Sequence, residues 1–273
     1  MASTLITVAP TGAEHLKADW PQLPTTLEEL LAEAKACEAA GAGLIHVHIR
    51  DAEHRPSLDL GRLRECVVAL RESSSLVVQL STGGSVHDPL ERRLAVLDAA
   101  PDSCSLTCGS VNFGDDVFLN PWPFIVDLFD KARDLGIVPE FELFDLGHVH
   151  AMARLVRERG LPAGGALHCD LVLGVPGGLP ATPQALAAAV AVLPPEVTSW
   201  SATGLGRGHL PIMSAALAFG GHVRVGLEDN TMYATGRPVT GSHELVARAA
   251  RVAAELQRPA MTTAQARDLL HLS

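Results

Sequence analysis

The chain has 273 residues, 47% of them hydrophobic, with 24 Gly, 18 Pro and a formal charge of −10 at pH 7. That length suits one large α/β barrel or two ordinary domains, and the apolar share supports a sizeable buried core. A net acidic chain with no local basic cluster speaks against nucleic acid or an anionic membrane as partner, and no stretch is long and apolar enough to cross a bilayer.

Met1-Ala2-Ser3-Thr4 runs directly into the strand-like Leu5-Ile6-Thr7-Val8 without the charged region of a signal peptide. The five cysteines, Cys37, Cys66, Cys104, Cys108 and Cys169, are odd in number and lack zinc-ribbon spacing. No disulfide framework is expected, and a reducing cytoplasm fits.

Strand-like runs follow at Leu44 to Ile49, Leu76 to Leu80, Ser103 to Thr107, Ile137 to Leu143, Ala166 to Leu173, Thr198 to Ala202 and His222 to Gly226. Between the first two lies a helix whose start is marked by Thr26 and Glu29, whose apolar stripe is Leu27, Leu30, Leu31, Ala34 and Cys37, and whose end falls near Gly41. Further helices are predicted at Leu60 to Glu72, Pro121 to Leu135, Val149 to Arg159, Pro183 to Val192, Ile212 to Phe219, Glu244 to Leu256 and Thr263 to Leu270. About eight βα units result, the number that closes a parallel barrel, and no linker interrupts residues 1–273, so a single (β/α)8 catalytic domain is expected. An open doubly wound sheet is disfavoured, because the first βα turn, Ala9-Pro10-Thr11-Gly12-Ala13-Glu14, has one glycine and a carboxylate where a phosphate would approach.

The second strand carries the most telling signal. In Leu44-Ile45-His46-Val47-His48-Ile49 the two imidazoles are the polar groups of an apolar run, and alternation aims both at one face. Two buried structural histidines, each hydrogen-bonded, would be the plain alternative. The last strand of a closed barrel lies beside the first, so Glu228 in Leu227-Glu228-Asp229-Asn230 can join the pair. Two histidines and a carboxylate with an open position form a catalytic zinc site, and non-haem iron would use the same ligands. As a helix N-terminal acid, Glu228 would have a simpler role. His148-Val149-His150 repeats the spelling at a loop-to-helix boundary, where i and i+2 diverge, and is assigned no metal.

Other polar residues fall near predicted strand ends: Glu14, Ser81, Ser105, Thr107, Glu140, Glu142, Asp170, Ser199, Ser201 and Asp229. The Ser81-Thr82-Gly83-Gly84-Ser85 turn offers hydroxyls and N–H groups to a carboxylate or developing oxyanion. Gly204-Leu205-Gly206-Arg207-Gly208 follows the seventh strand, where barrels often hold phosphate; its glycines let backbone amides approach closely and Arg207 adds charge.

Taken in order, Thr11-Gly12-Ala13-Glu14, His46 to Asp51, Ser81-Thr82-Gly83-Gly84, Gly109 to Gly114, Pro139 to Asp145 and Gly221 to Asn230 resemble the β-keto acid cleavage enzymes over nearly the whole chain. The resemblance implies a zinc-dependent barrel that reacts a β-keto acid with acetyl-CoA to give acetoacetate and a new acyl-CoA. It implies His46, His48 and Glu228 as zinc ligands, Glu14, Ser81, Gly84, Ser105 and Thr107 around the keto acid, and Arg224 and Asp229 joining Ser81 in the chemistry. It also implies a homo-oligomer, such as a tetramer. A carboxylate at Glu14 suggests a cationic keto acid such as 3-keto-5-aminohexanoate, whereas Ser105 and Thr107 stand where that enzyme is expected to carry threonine and asparagine. A zinc barrel aldolase or hydrolase that does not use coenzyme A is the second reading, and a non-catalytic barrel with structural zinc the third.

Overall fold

The computed structural model describes residues 3–272. Eight parallel strands close a barrel: β1 (Ile6–Val8), β2 (Leu44–Val47), β3 (Val77–Leu80), β4 (Ser103–Thr107), β5 (Val138–Leu143), β6 (His168–Leu173), β7 (Ser199–Gly204) and β8 (His222–Val225), each beside its chain neighbour, with β1 also pairing β8. The expected (β/α)8 architecture is therefore present. Closure places Val225 opposite Val8 and Ile45 opposite Val8 on the other side, so the ends of β1, β2 and β8 adjoin.

The outer helices are α1 (Leu27–Ala40), α2 (Leu60–Ser73), α3 (Leu90–Ala95), α4 (Trp122–Asp134), α5 (Leu146–Arg159), α6 (Pro183–Ala191), α7 (His209–Ala218), α8 (Ser242–Glu255) and α9 (Thr263–Leu269). In α1 the Thr26 side chain accepts from Glu29 N–H and Glu29 accepts from Thr26 N–H, a reciprocal cap, while Gly41 closes the helix in the left-handed region. Leu30, Ala34 and Cys37 form its buried stripe. At the opposite end from the strand C-termini, Ala266 and Leu270 of the α9 region cover Leu5, Leu44 and Val77. No helix among the described residues is long and apolar enough to span a membrane. The five cysteines are buried and free.

Three departures from the sequence expectations bear on the site. Strand β2 ends at Val47, and Ile49–Arg50 turns away to pair antiparallel with Pro56–Ser57. Helix α3, absent from the periodic pattern, is only six residues long and follows Pro89. An antiparallel hairpin, Val111–Phe113 with Asp116–Phe118, rises between β4 and α4.

The barrel interior is unusually polar. Glu140, Asp170, Ser199 and Ser201, expected near the mouth, lie inside because β5, β6 and β7 each run six residues and continue past them. His168 contacts Ser199 Oγ at 2.7 Å, Ser201 Oγ at 3.1 Å and Glu140 Oε2 at 3.1 Å, and Thr203 Oγ1 donates to Asp170 at 2.6 Å. Burial, with Glu140 nearby, pushes the Asp170 carboxyl well above its ordinary range.

Candidate active site at the carboxyl end of the barrel

His46, His48 and Glu228 converge. The two rings stand 5.3 Å apart between centroids, and Nε2 of His46 and of His48 lie 3.8 and 3.6 Å from Glu228 Oε1. These separations are too long for hydrogen bonds. One ligand atom from each residue lies within 4.8 Å of the other two.

Residues behind them set their orientation. His46 Nδ1 is 2.5 Å from Gln79 Oε1, and Gln79 Nε2 donates to Ser103 Oγ at 3.1 Å. That network assigns the proton to Nδ1 and leaves the Nε2 lone pair facing Glu228. Burial, the Arg224 charge and neighbouring His48 lower the His46 pKa to about 4, against the pull of Glu228, so the ring is neutral at pH 7. Glu228 Oε2 is buried without a partner. A neutral imidazole with a directed lone pair and an orphaned carboxylate oxygen suit a divalent cation.

Glu228 is placed by the junction of the first and last strands. Its N–H donates to Ala9 O at 3.1 Å, and its side chain packs on Gly12. A Cβ at Gly12 would lie 2.5 Å from Glu228 Cγ, and the backbone there has φ +63°. Both the space and the backbone require glycine.

Arg224, on β8, is the hub of the buried charges. It donates from Nε and Nη2 to the two Asp229 oxygens at 3.0 and 2.9 Å, from Nη1 to Glu142 Oε1 at 3.2 Å, and from Nη2 to Glu228 Oε1. Burial opposes ionisation of Glu228, but the Arg224 charge outweighs it and holds the carboxyl well below the usual range. Burial lifts Asp229 to about 6, with Glu228 adding to the rise and Arg224 opposing it. A carboxylate poised there can take and return a proton near neutrality.

The cavity, about 320 Å³ in volume, is lined by Glu14, Ser81, Gly84, His46, His48, Arg224, Glu228 and Asp229 among others. Ser81 Oγ accepts from Gly83 N–H at 3.1 Å. Gly84 has φ +59°, and a Cβ there would meet Asp88 Oδ2 at 2.5 Å. Glu14 is exposed at the rim. Ser105 and Thr107 stand behind the lining: Ser105 Oγ accepts from Thr82 N–H at 3.1 Å, and Thr107 Oγ1 donates to Glu142 Oε2 at 2.8 Å. Arg207 is exposed in the turn Gly206–Gly208, outside the lining, although its neighbour Gly206 lines the cavity and donates to Asp229 O at 2.9 Å. His148 is buried within α5, where Nδ1 accepts from Phe144 N–H at 3.3 Å.

Sequence reasoning missed three contributors. Gln79 and Arg93 were not singled out, and Glu142 was seen without its pairing. Arg93 is buried, donating to Thr82 O at 2.7 Å, Leu119 O at 2.6 Å and Asn120 Oδ1 at 2.5 Å, between the rings of Phe118 and Phe124. It ties the Ser81–Gly84 turn to the end of the hairpin. The one sequence signal for Gln79 was a lone amide in the apolar run Leu76 to Leu80.

A closed parallel barrel with ionisable groups gathered at its strand C-termini is the framework of a barrel enzyme. The chain belongs to the β-keto acid cleavage enzyme family, which it matches over residues 3–272. It is 36% identical over 275 residues to the 3-keto-5-aminohexanoate cleavage enzyme of Acetoanaerobium sticklandii, covering 100% of both chains. It is also 36% identical over 273 residues to the 3-oxoadipate:acetyl-CoA acetyltransferase of Cupriavidus necator, covering 98% of this chain and 94% of that one. Among solved structures, the ternary complex of ObcA with C4-CoA adduct and oxalate superposes with TM-score 0.81 over 92% of this chain and 68% of that one, at 23% identity, a likeness of fold. The enzyme class that follows is a carbon–carbon-cleaving transferase.

Proposed function

We propose that the enzyme reacts a β-keto acid with acetyl-CoA, giving acetoacetate and a new acyl-CoA, with zinc held by His46, His48 and Glu228. The observation that carries this reading is the placement of the Arg224–Asp229 pair beside the His46, His48 and Glu228 cluster in one cavity. The names of the relatives agree with it. Zinc, when bound, supplies a Lewis acid that polarises the keto carbonyl and acidifies the methylene beside it.

Asp229, oriented by its two hydrogen bonds from Arg224, takes a proton from the carbon between ketone and carboxylate. That carbon attacks the acetyl carbonyl of the thioester, a carbon–carbon bond forms and coenzyme A leaves as thiolate. The thiolate then adds to the original ketone carbon, and the bond from that carbon to the former methylene breaks. The electron pair stays on the departing carbon, which recovers its proton from Asp229, so acetoacetate and the new thioester balance the starting pair. Ser81, with the N–H groups of its turn, serves the substrate carboxylate or the developing oxyanion. Gly84 keeps that turn open, while Ser105 and Thr107 support the wall through Thr82 and Glu142. Glu14 guards the rim, and Arg207 offers its exposed charge to a coenzyme A phosphate. A reducing cytoplasm, in which free thiols persist, completes the reading.

Acetyl-CoA labelled with carbon-13 in the acetyl group tests it directly. The label is expected in the methyl and keto carbons of acetoacetate, alongside a new acyl-CoA. Cleavage of keto acids without any thioester exchange would favour a coenzyme A-independent aldolase or hydrolase instead.

A further inference from the structure

Arg93 is a buried cation with no acid of its own. It lies on α3 at 2% exposure, and its guanidinium carbon is 4.6 and 4.7 Å from the ring centroids of Phe118 and Phe124. Its hydrogen bonds, to Thr82 O, Leu119 O and Asn120 Oδ1, all end on uncharged oxygens. Glu142 and Asp88 are near enough to favour its charge, but Glu142 is engaged by Arg224 and Thr107, and Asp88 by Ser85 N–H. Burial draws its pKa down to about 10, which leaves it charged at neutral pH. The ring faces offset part of the lost hydration. Buried charges are nevertheless normally paired, and a lone one beside the cavity points to an anion that arrives from outside.

One peptide separates Arg93 from the cavity. Its Nε donates to Thr82 O at 2.7 Å. In a planar trans peptide the carbonyl and the following N–H point in opposite directions, so this bond turns Gly83 N–H away from Arg93 and towards Ser81 Oγ, 3.1 Å away. Thr82 is also pinned to β4, its N–H donating to Ser105 Oγ at 3.1 Å and its hydroxyl to Ser105 O at 2.7 Å, which keeps the peptide from flipping. Gly83 N–H occupies a lone pair of Ser81 Oγ, and the Ser81 proton meets no acceptor among the described residues. That hydroxyl is left to donate into the cavity it lines. From the guanidinium through the carbonyl, the N–H and the O–H, each dipole presents its positive end to the cavity. Gly83 fits this course closely, since a Cβ there would stand 3.3 Å from both Ser81 Oγ and Phe118 Cζ.

On the reading of the site as a β-keto acid:acetyl-CoA transferase, we propose that Arg93 is the positioning residue for the substrate carboxylate. It holds the Thr82–Gly83 peptide so that Ser81 donates to that anion, and the anion in turn balances the buried charge. A carboxylate suits this role better than a developing oxyanion, because it is charged from the moment of binding and relieves the lone cation throughout the reaction. The effect therefore falls on affinity for the keto acid more than on the chemical step.

Calorimetric titration of the zinc-loaded protein with acetoacetate and with methyl acetoacetate tests the proposal. The two ligands share the ketone and differ in the anion, and acetoacetate is the expected product whatever substituent the native acid carries. Arg93→Met should weaken acetoacetate roughly 10- to 100-fold while methyl acetoacetate changes little, and Arg93→Lys should regain part of the loss. Unchanged affinity for acetoacetate, or equal weakening of both ligands, would reduce Arg93 to a support of the fold and overturn the proposal. Arg93→Met strips Thr82 O, Leu119 O and Asn120 Oδ1 of a donor and can unfold the chain, so Asn120→Asp carries the test independently. It gives the guanidinium an acid in place of the amide oxygen. The protein should fold, yet acetoacetate should bind roughly tenfold more weakly with methyl acetoacetate unchanged. An unfolded Asn120→Asp protein, or one that binds acetoacetate as tightly as the wild type, would overturn the proposal and leave the transferase reading intact. A wild-type protein that binds no acetoacetate would remove both.

Discussion

Replacing Gln79 with Leu tests whether the site is built to present His46 to a cation. Gln79 is fully buried and joins His46 Nδ1, 2.5 Å away, to Ser103 Oγ, 3.1 Å away. Leucine fills similar space but accepts no hydrogen bond. Two responses are then open to the imidazole. It can keep the Nδ1 proton as a buried unpaired donor, at a cost of about 1–3 kcal/mol, or move the proton to Nε2, which points a donor instead of a lone pair at the Glu228 side. Either loss falls on the metal-binding form, so affinity for a divalent ion should drop roughly 10- to 100-fold, about 1.4–2.7 kcal/mol. Competition with a chromogenic chelator measures the Kd, and far-ultraviolet circular dichroism checks that the barrel is intact. Gln79→Glu provides the control: its carboxylate accepts the same proton and makes the ring a better ligand, so affinity should be kept or raised. A folded Gln79→Leu protein that binds zinc as tightly as the wild type would refute the orienting role.

Four other changes probe separate parts of the structure. His46→Ala should lose most bound zinc and turnover, and full occupancy by elemental analysis would remove it from the ligand set. Asp229→Asn should retain metal but form acetoacetate about 10²- to 10⁴-fold more slowly; an unchanged rate would eliminate it as the base. Gly12→Ala should cost about 1–2 kcal/mol from the left-handed backbone alone, with a further penalty from the 2.5 Å approach to Glu228, and a urea midpoint equal to the wild type would contradict that packing. Glu29 has its carboxyl pulled from 4.5 to about 2, because hydrogen bonds from Lys17 and from Thr25 and Thr26 N–H outweigh the effect of burial. Its depressed value stabilises the fold above pH 4.5 and that contribution fades as pH falls towards 2. The stability difference between wild type and Glu29→Gln should therefore shrink between about pH 6 and pH 3; a constant difference would place the stabilisation elsewhere.

The parts of the fold that were legible are those set by local pattern. Eight apolar runs alternating with amphipathic segments point to a parallel barrel, and Thr26, Glu29 and Gly41 mark the ends of α1 because caps are local chemistry. The histidine pair stood out because imidazoles at i and i+2 interrupt an apolar strand, and barrel closure alone brings Glu228 near them. The hairpin from Val111 to Phe118 and the buried state of Arg93 were not legible. Both depend on neighbours distant in sequence: Phe118 and Phe124 enclose the guanidinium, and Arg93 binds Leu119 O and Asn120 Oδ1 in return.

Strand-end polarity proved too coarse a guide because a polar residue on a barrel strand can face the lumen at any depth. Ser105 and Thr107 illustrate the difference: both are buried, yet one fixes Thr82 and the other Glu142, which in turn meets Arg224. Glu140 and Asp170 lie deeper, with His168 and Thr203. The consequence reaches the chemistry. Arg224 is held by three acids on two segments, Glu142 on β5 and Glu228 and Asp229 after β8, so its guanidinium cannot swing to follow one partner without leaving another carboxylate buried and unpaired. Asp229 therefore meets a fixed cation, and the direction of its remaining lone pairs is set by the barrel before substrate arrives. An aspartate presented from a free loop would have to be ordered in each turnover, a cost that this buried network removes.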